Sequence, residues 1–490
     1  SQAGNGTLYN GNGTAWMVKD ILTCCPAHNA NGNPRHMTAV GNTLYFSADS
    51  IGNLGYELWK SDGTASGTVM VKDINNGSDD SSPHRLKAVG NTLYFLADDG
   101  THGKELWKSD GTASGTVMVK DINNGSASGI STNPGSSTNF EITAVGNTLY
   151  FQANDGINGG ELWKSDGTAS GTVMVKDIRS GGWTSYPDEL TVFNNTLYFT
   201  AAVTNNAWDL FKTDGTANGT VMVKNLYGYT YDAPGHLTVV GNTLYFGATD
   251  GTNGYELWKT DGTASGTVMV KDINSGSGSS NPVQLTAVGN TLYFGANDGI
   301  NGSELWKSDG TASGTVMVKD IRASYMASNS LHIRDVIGNT IYFLTDDQIH
   351  GMELWKSDGT ASGTVMIKDI NNGSNDGLLG PYTSDGAANT NTFFFSANDG
   401  TNGYELWKTD GTAAGTVMVQ DICNASTTQS CQWAGGYSGD AYATFVGNTL
   451  YFLANDGING NELWALDPAN IIFNTPPPVS WETDPALPAG

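Results

Sequence analysis

One short segment recurs nine times along this chain and restricts it to folds built from stacked copies of a single unit. Its first copy, residues 57–64, reads ELWKSDGT. In the later copies the position of Trp59 is taken by Trp107, Trp163, Phe211, Trp258, Trp306, Trp355, Trp407 and Trp464. The copies follow one another at intervals of 47 to 57 residues. Repeats of this length indicate solenoids, propellers or arrays, so the length of 490 residues does not predict several unrelated domains.

Each unit contains four short segments typical of β-strands. In the sixth unit, LTAV at 285–288 is followed by a Gly-Asn turn and TLYF, then by a DGxxG turn and ELW, and then by DGTASG and TVMVKDI. Gly-Asn and Asp-Gly pairs between alternating apolar residues predict tight hairpins. Four antiparallel strands in about 48 residues make one propeller blade, and such a sheet needs neighbours to bury both faces.

The two ends of the chain predict a closed ring. The ninth unit stops at residues 464–468 without a TVMVKDI strand, whereas residues 13–21 supply a strand of this kind before the first complete unit. Closure also removes the exposed sheet edges of an open stack. We therefore predict an all-β fold with one closed nine-bladed propeller. Residues 1–22 hold the closing strand of blade nine, 23–468 form the nine units, and 469–490 form a Pro-rich tail.

The units resemble the bacterial ELWxxDGT repeat family across residues 57–467. The resemblance implies a propeller-like fold and an exported or surface-located bacterial protein, and it implies no particular reaction. Unit four departs from the pattern, with Asp209-Leu210-Phe211 and no Asp-Gly turn before it. The Ser-Asp-Gly-Thr turn is also similar to the Asp-box hairpins of sialidase-type propellers, in which the Asp is structural.

Charge and cysteine content indicate the setting in which the chain works. With 23 basic and 48 acidic residues the net charge is −25, which argues against nucleic acid as a partner. No apolar run reaches the ~20 residues of a membrane span, so membrane insertion is not expected. We interpret the four cysteines as disulfide candidates in an oxidising, extracellular or cell-surface setting, with connectivity open: they are Cys24, Cys25, Cys423 and Cys431.

The acidic residues of the repeat are predicted to have a structural role rather than a catalytic one. An Asp in the turn of nearly every unit argues against one unique catalytic centre, and it is expected to accept backbone N–H bonds across its own turn. The Asp-Gly-x-x-Gly-x-Glu loops offer oxygen ligands, which makes Ca²⁺ the only candidate cofactor, although the hairpin alone also explains them. The candidate pairs are Asp155 with Glu161, Asp298 with Glu304, and Asp399 with Glu405.

The connectors that follow each Asp-Ile differ between units, and function is expected where the repeat varies. Their aromatic residues predict stacking on a glycan or a protein hot spot, and the alternative is that they pack beneath their own loops. The candidate ligand-binding residues are Trp183, Tyr186, Tyr227, Tyr229, Tyr231, Tyr325, Tyr382, Trp433 and Tyr437. All five arginines fall in or just after these connectors. Several histidines lie close to the start of first strands, near the predicted channel mouth, and are expected to be ordinary surface or packing residues.

These observations lead to a functional hypothesis. We expect a secreted or cell-surface recognition or adhesion module that is not an enzyme, because no nucleophile motif, zinc motif or unique carboxylate pair is found. Its partner would be a glycan or an extracellular protein bound on the aromatic connectors. The alternative is a self-assembling structural subunit of an extracellular filament, sheath or surface layer.

Overall fold

The computed structural model describes residues 15–21, 31–49, 54–130, 142–204, 207–228, 233–322, 331–378, 386–422, 443–457 and 459–470. These residues form thirty-six strands and one 3-10 turn, Pro468–Asn470. None of the described helical segments is long and apolar enough to cross a membrane.

Every blade has an innermost strand and a second strand that pairs with it. The innermost strands are β2 (Arg35–Val40), β6 (His84–Val89), β10 (Thr143–Val145), β14 (Asp188–Phe193), β18 (Gly235–Val240), β22 (Val283–Val288), β26 (His332–Ile337), β30 (Gly386–Ala388) and β34 (Ala443–Val446). The second strands are β3 (Thr43–Asp49), β7 (Thr92–Asp98), β11 (Thr148–Asn154), β15 (Thr196–Thr204), β19 (Thr243–Thr249), β23 (Thr291–Asn297), β27 (Thr340–Asp346), β31 (Phe393–Asn398) and β35 (Thr449–Asn455).

The third strands carry the ELW segments and the outermost strands carry the VMVK segments. The third strands are β4 (Tyr56–Ser61), β8 (Lys104–Ser109), β12 (Gly160–Ser165), β16 (Ala207–Thr213), β20 (Tyr255–Thr260), β24 (Ser303–Ser308), β28 (Met352–Ser357), β32 (Tyr404–Thr409) and β36 (Asn461–Leu466). The outermost strands are β5 (Val69–Lys72), β9 (Val117–Lys120), β13 (Val173–Lys176), β17 (Val221–Gly228), β21 (Val268–Lys271), β25 (Val316–Lys319), β29 (Val365–Met366), β33 (Val417–Gln420) and, for blade nine, β1 (Trp16–Lys19).

The strands form nine four-stranded antiparallel sheets, which confirms the predicted propeller. Eight sheets follow chain order, and the ninth has the order β1-β36-β35-β34, with Met17 opposite Trp464. The predicted closure by the N-terminal strand is therefore also confirmed. Unit four keeps its hairpin despite its different sequence, because β15 and β16 pair as far as Thr204 and Ala207.

The core consists of layers between neighbouring blades. Between blades one and two, Tyr45 and Leu58 from one sheet pack with Phe95 and Trp107 from the next. Aromatic and β-branched side chains suit such pleated surfaces because both faces of each sheet are covered. The ammonium of Lys72 lies 5.6 Å from the ring centre of Trp107, which adds a cation–π contact across the layer.

The Asp-Gly turns join each blade to the preceding one. Asp62 Oδ1 accepts hydrogen bonds from the backbone N–H and the hydroxyl of Thr64, so the predicted role of this carboxylate within its own turn is observed. In blade two the turn residue Gly111 has φ of +88°, and a Cβ there would overlap the Tyr45 hydroxyl of blade one. Lys60 Nζ donates to the Gly111 carbonyl at 2.8 Å. The turn glycine therefore receives two side chains from its neighbour.

Antiparallel order gives the ring two different faces. The Gly-Asn turns and the Asp-Gly-Thr turns lie on one face, which we call the turn face. The Asp-Gly-x-x-Gly loops and the connectors between blades lie on the other, the connector face. First strands of neighbouring blades contact one another, including β2 with β34 across the closure, so these strands surround the central channel.

Candidate functional site

The glutamate of each ELW segment anchors a connector. Glu161 is fully buried, and its carboxylate accepts bonds from Ile178 N at 3.0 Å, Ser185 N at 3.2 Å and Ser185 Oγ at 2.6 Å. Burial raises the pKa of Glu161 to about 7, and these hydrogen bonds oppose the rise. The repeated glutamate thus fixes the connector to its own blade.

The calcium candidates use their oxygens in separate hydrogen-bond sets. Asp155 Oδ1 accepts from Ile157 N at 2.9 Å and Asn158 N at 2.8 Å, inside its own loop. Asp298 and Asp399 bond their loops in the same way. Glu304 and Glu405 accept from the backbone of Ile321 and Ile422 respectively. Across the described ranges no three His, Cys, Asp or Glu side chains group as metal ligands, and the calcium site stays a prediction.

Two of the predicted connector aromatics are described, and both are exposed. Trp183 is 61% exposed and has the Arg179 guanidinium 5.0 Å from its ring centre, whereas Tyr186 is 46% exposed and stacks on Trp208 at 5.9 Å. The other candidates lie outside the described residues, except Tyr227, whose backbone is described and whose side chain is not. They are Tyr227, Tyr229, Tyr231, Tyr325, Tyr382, Trp433 and Tyr437. The disulfide candidates Cys24, Cys25, Cys423 and Cys431 also lie outside the described part.

The first strands carry a repeated bulge that the sequence did not reveal. In five blades two residues of the first strand oppose one residue of the second, and the bulged residue has a left-handed backbone. The φ values run from 55° to 60° at these non-glycine positions: His36, Arg85, Glu189, His236 and Gln284. Left-handed backbone is uncommon for such residues, and bulges redirect side chains near functional sites. The repeated backbone therefore presents a polar side chain in each of the five blades, and its type varies between histidine, arginine, glutamate and glutamine.

Two residues beyond the bulge, most first strands place a threonine that links neighbouring blades. Thr38 Oγ1 donates to the Leu86 carbonyl at 3.3 Å, and Thr143, Thr191 and Thr238 make the same bond to the next blade. Lys87 and Asp335 occupy this position in blades two and seven. A charged residue at a threonine position was the sequence signal that could have indicated the channel wall.

Basic side chains gather on blades one and two, and we call His36, His84, Arg85, Lys87 and Lys104 the basic cluster. The rings of His36 and His84 lie 6.2 Å apart. His84 Nδ1 donates to the Ser82 carbonyl at 2.8 Å, which fixes the ring. Burial lowers the pKa of His84 to about 4, and the charges of Lys104, His36 and Arg85 lower it further. The His84 ring is therefore uncharged near neutral pH.

A cavity of about 450 Å³ opens on the channel wall beside this cluster. Arg85, Leu86 and Lys87 line it from blade two, and residues of blades three and four complete it: Ile142, Thr143, Leu190, Thr191 and Val192. Its volume lies within the range of small-molecule sites. Two cations above an otherwise apolar and hydroxyl-bearing wall suit an anionic group.

Comparison with known proteins gives a likeness of fold. No family model matches the chain. No curated protein matches it. Among solved structures, a puromycin hydrolase S511A mutant complexed with PGG has 12% identity and a TM-score of 0.38 over 83% of this chain and 56% of that one. Oligopeptidase B from Leishmania major has 12% identity and a TM-score of 0.41, over 78% of this chain and 53% of that one. A Mycobacterium tuberculosis puromycin-hydrolyzing peptidase has 8% identity and a TM-score of 0.42, over 90% of this chain and 61% of that one.

These neighbours correct two predictions. They are hydrolases and peptidases, so the prediction of a non-catalytic recognition or adhesion module, with its structural-subunit alternative, is contradicted, as is the prediction that the chain is not an enzyme. The error arose because the repeat describes only the blades, and a repeated carboxylate says nothing about chemistry elsewhere. The chain spans 53% to 61% of the neighbours' lengths. Because the sequence identity is only 8% to 12%, the reactions of the neighbours belong to those proteins and are not assigned to this chain.

Proposed function

We propose that the central channel of this propeller binds an anionic small molecule, or an anionic group of a larger substrate, at Arg85 and Lys87. The observation that supports the proposal most directly is that both side chains line one cavity on the channel wall. The ammonium of Lys104 adds positive potential next to it, since its charge acts on His84 together with that of Arg85.

The charge of the whole chain makes this arrangement specific. With 48 acidic and 23 basic residues the molecule repels anions in general. Most lysines belong to the repeat and donate to backbone carbonyls of the next blade, as Lys60 and Lys72 do. Arg85 and Lys87 depart from the repeat and lie on the channel wall, where two neighbouring positive charges attract an anion.

The repeat supplies the variants that test the proposal. Lys87→Thr introduces the threonine that blades one and three carry at this position, as Thr38 and Thr143. Arg85→Gln introduces the glutamine that blade six carries at the same bulge, as Gln284. The double variant R85Q/K87T is therefore expected to fold. The probes are inorganic phosphate and N-acetylglycine, with dissociation constants measured by calorimetry. We expect the double variant to weaken binding at least about tenfold, which corresponds to ~1.4 kcal/mol.

A charge of the opposite sign on the channel wall gives the matched control. Asp335→Thr removes the acidic residue at the corresponding position of blade seven, and binding is expected to be retained or strengthened. Equal affinities in the wild type and R85Q/K87T would reject the site. Mass spectrometry of peptides with a free carboxyl terminus, incubated with the protein, measures hydrolysis. Cleavage that falls in R85Q/K87T would make the channel a substrate site.

A further inference from the structure

Three connectors contain an Asn-Gly pair at the same point of the repeat. In each of them the Asn is the third residue after the Asp of the Lys-Asp-Ile segment, and the connectors after blades three and five have serine there, as Ser180 and Ser275. The three pairs are Asn76-Gly77, Asn124-Gly125 and Asn372-Gly373. All three asparagines are exposed, and the glycines have φ of 112°, 107° and 100°. A Cβ on any of these glycines would meet nothing within 4 Å, so the turns project into open space.

The glycine nitrogen in these turns is placed to react with the side chain before it. Glycine carries no Cβ, so nothing hinders the approach of its nitrogen to Cγ of the preceding asparagine. The Gly125 N–H donates to Asp121 Oδ2 at 3.1 Å, and the Gly373 N–H donates to Asp369 Oδ2 at 3.2 Å. The proton that the nitrogen must lose therefore already faces a carboxylate. An exposed carboxamide next to such a nitrogen can close a cyclic imide.

A second set of Asn-Gly pairs, in the Asp-Gly-x-x-Gly loops, is held by hydrogen bonds. Asn158 Nδ2 donates to Asp155 Oδ2 at 2.7 Å, and its backbone N–H donates to Asp155 Oδ1 at 2.8 Å. The next residue, Gly159, lies against the Trp183 carbonyl so closely that a Cβ would overlap it. Both the carboxamide and the nitrogen after it are therefore fixed. The same two bonds to an aspartate hold Asn253, Asn301 and Asn402.

The pair Asn218-Gly219, in the Asp-Gly-Thr turn of blade four, separates exposure from conformation. Asn218 is exposed, and it stands where most other blades have serine. The Gly219 N–H donates to Thr216 Oγ1 at 2.9 Å, and a Cβ on Gly219 would overlap the Asp214 carboxylate. The glycine nitrogen is thus fixed inside a tight turn, although the carboxamide before it is exposed.

We propose that Asn76, Asn124 and Asn372 are sites of spontaneous deamidation in the folded protein. The glycine nitrogen bonds to Cγ of the asparagine, the bond from Cγ to Nδ2 breaks, and ammonia leaves with the proton of the glycine nitrogen. Water then opens the cyclic imide at either carbonyl, which gives aspartate or isoaspartate. Each conversion replaces a neutral amide by a carboxylate on the connector face, and three conversions take the net charge from −25 to −28. The reaction uses none of the channel residues, so it is independent of the proposed anion site.

Incubation of the full chain at pH 8 in ¹⁸O-labelled water tests the proposal. Peptide mapping by tandem mass spectrometry measures the label that enters at each asparagine. A loop asparagine must break two hydrogen bonds before it can react, so the connector asparagines are expected to react at least about tenfold faster, which corresponds to ~1.4 kcal/mol. Asn218 is expected to react as slowly as the loop asparagines, because its glycine nitrogen is fixed.

Two variants on blade five transfer the pair to the two settings. Ser275→Asn creates an Asn-Gly pair in a connector where the Gly276 N–H makes the same bond, to Asp272 Oδ2 at 3.0 Å. We expect it to react as fast as Asn124. Ser265→Asn creates the pair in the Asp-Gly-Thr turn and is expected to react as slowly as the loop asparagines. Both serines are exposed, so both variants are expected to fold, and thermal unfolding checks this.

The chain unfolded in guanidinium chloride is the control for sequence. Every Asn-Gly pair then loses its turn, and connector and loop asparagines are expected to react at similar rates. A difference that persists in the unfolded chain overturns the proposal, as do equal rates for connector and loop asparagines in the folded protein. Slow reaction of Ser275→Asn, or fast reaction of Ser265→Asn, also overturns it.

Discussion

The two kinds of repeated carboxylate behave in opposite ways because their surroundings differ. Asp110 is exposed in its turn, and hydrogen bonds from Thr112 hold its pKa below the usual value. Glu105 lies at the other end of β8, the strand that precedes this turn, and is fully buried. Burial raises the pKa of Glu105 to about 7. Hydrogen bonds favour the charged form and burial disfavours it, so the balance decides the sign of each shift.

Glu105→Gln is expected to reduce the pH dependence of stability. The pKa of this carboxyl is higher in the folded chain than its unperturbed 4.5, so its contribution is fully present below pH 4.5 and is lost as pH rises through about 7. The free energy of unfolding of the wild type should therefore fall between pH 4.5 and 7. Glutamine does not titrate, and the fall should be smaller by about 3 kcal/mol. Chemical denaturation at several pH values measures it.

Asp110→Asn serves as the comparison for this prediction. The pKa of Asp110 is lowered, so its titration affects stability below pH 4 and leaves the window from 4.5 to 7 unchanged. If Glu105→Gln and Asp110→Asn gave the same pH profile in that window, burial of Glu105 would not be the cause.

At this scale the sequence predicted the Asp residues better than the Glu residues. An Asp-Gly turn bonds itself within a few positions, so its role could be inferred locally. The partners of Glu105 include Gly129, 24 positions away in the connector, and only the folded blade brings them together. The same holds for Arg85 and Lys87, whose shared cavity depends on blades three and four.

Among the elements, the closing strand was predictable and the bulged first strands were not. One missing strand at the end of unit nine and one extra strand at the start fit a ring by simple counting. The bulges depend on how one strand pairs with the next, and no turn residue marks them. Their polar residues at left-handed positions, such as Arg85 and Gln284, resemble ordinary exposed strand residues in the sequence.

Closure should contribute measurably to stability through Ile21. This residue follows β1 and is fully buried with Val18, Met37 and Leu463, and its backbone N–H donates to Glu462 at 2.9 Å. Ile21→Ala removes apolar contacts and leaves a cavity, so the free energy of unfolding should fall by about 2–4 kcal/mol. Urea denaturation measures the change.

Ile300 provides the matched control, because it is 76% exposed at the tip of a loop on the connector face. Ile300→Ala should change stability by less than about 0.5 kcal/mol. A cost for Ile21→Ala as small as that of Ile300→Ala would mean that the N-terminal strand adds little to the ring.

For the whole molecule, net charge opposes compactness. A charge of −25 on one closed ring produces repulsion that salt screens. Raising NaCl from 10 to 150 mM at pH 8 is therefore expected to raise the melting temperature by a few degrees, measured by calorimetry. Near the isoelectric point of about 4.4 the same salt step should have little effect. An equal rise at both pH values would point to a cause other than charge repulsion.

The sequence by itself determined the nine blades, their four strands and the closure, because each follows from short-range turns and from counting units. Tertiary structure alone decided which departures from the repeat meet. It placed Arg85 and Lys87 beside a channel cavity that residues of blades three and four complete. The physical reason is that a site requires side chains distant in sequence to approach within a few ångströms. A repeat determines the four strands of every unit, whereas contacts between side chains of different units depend on how the units assemble into the ring.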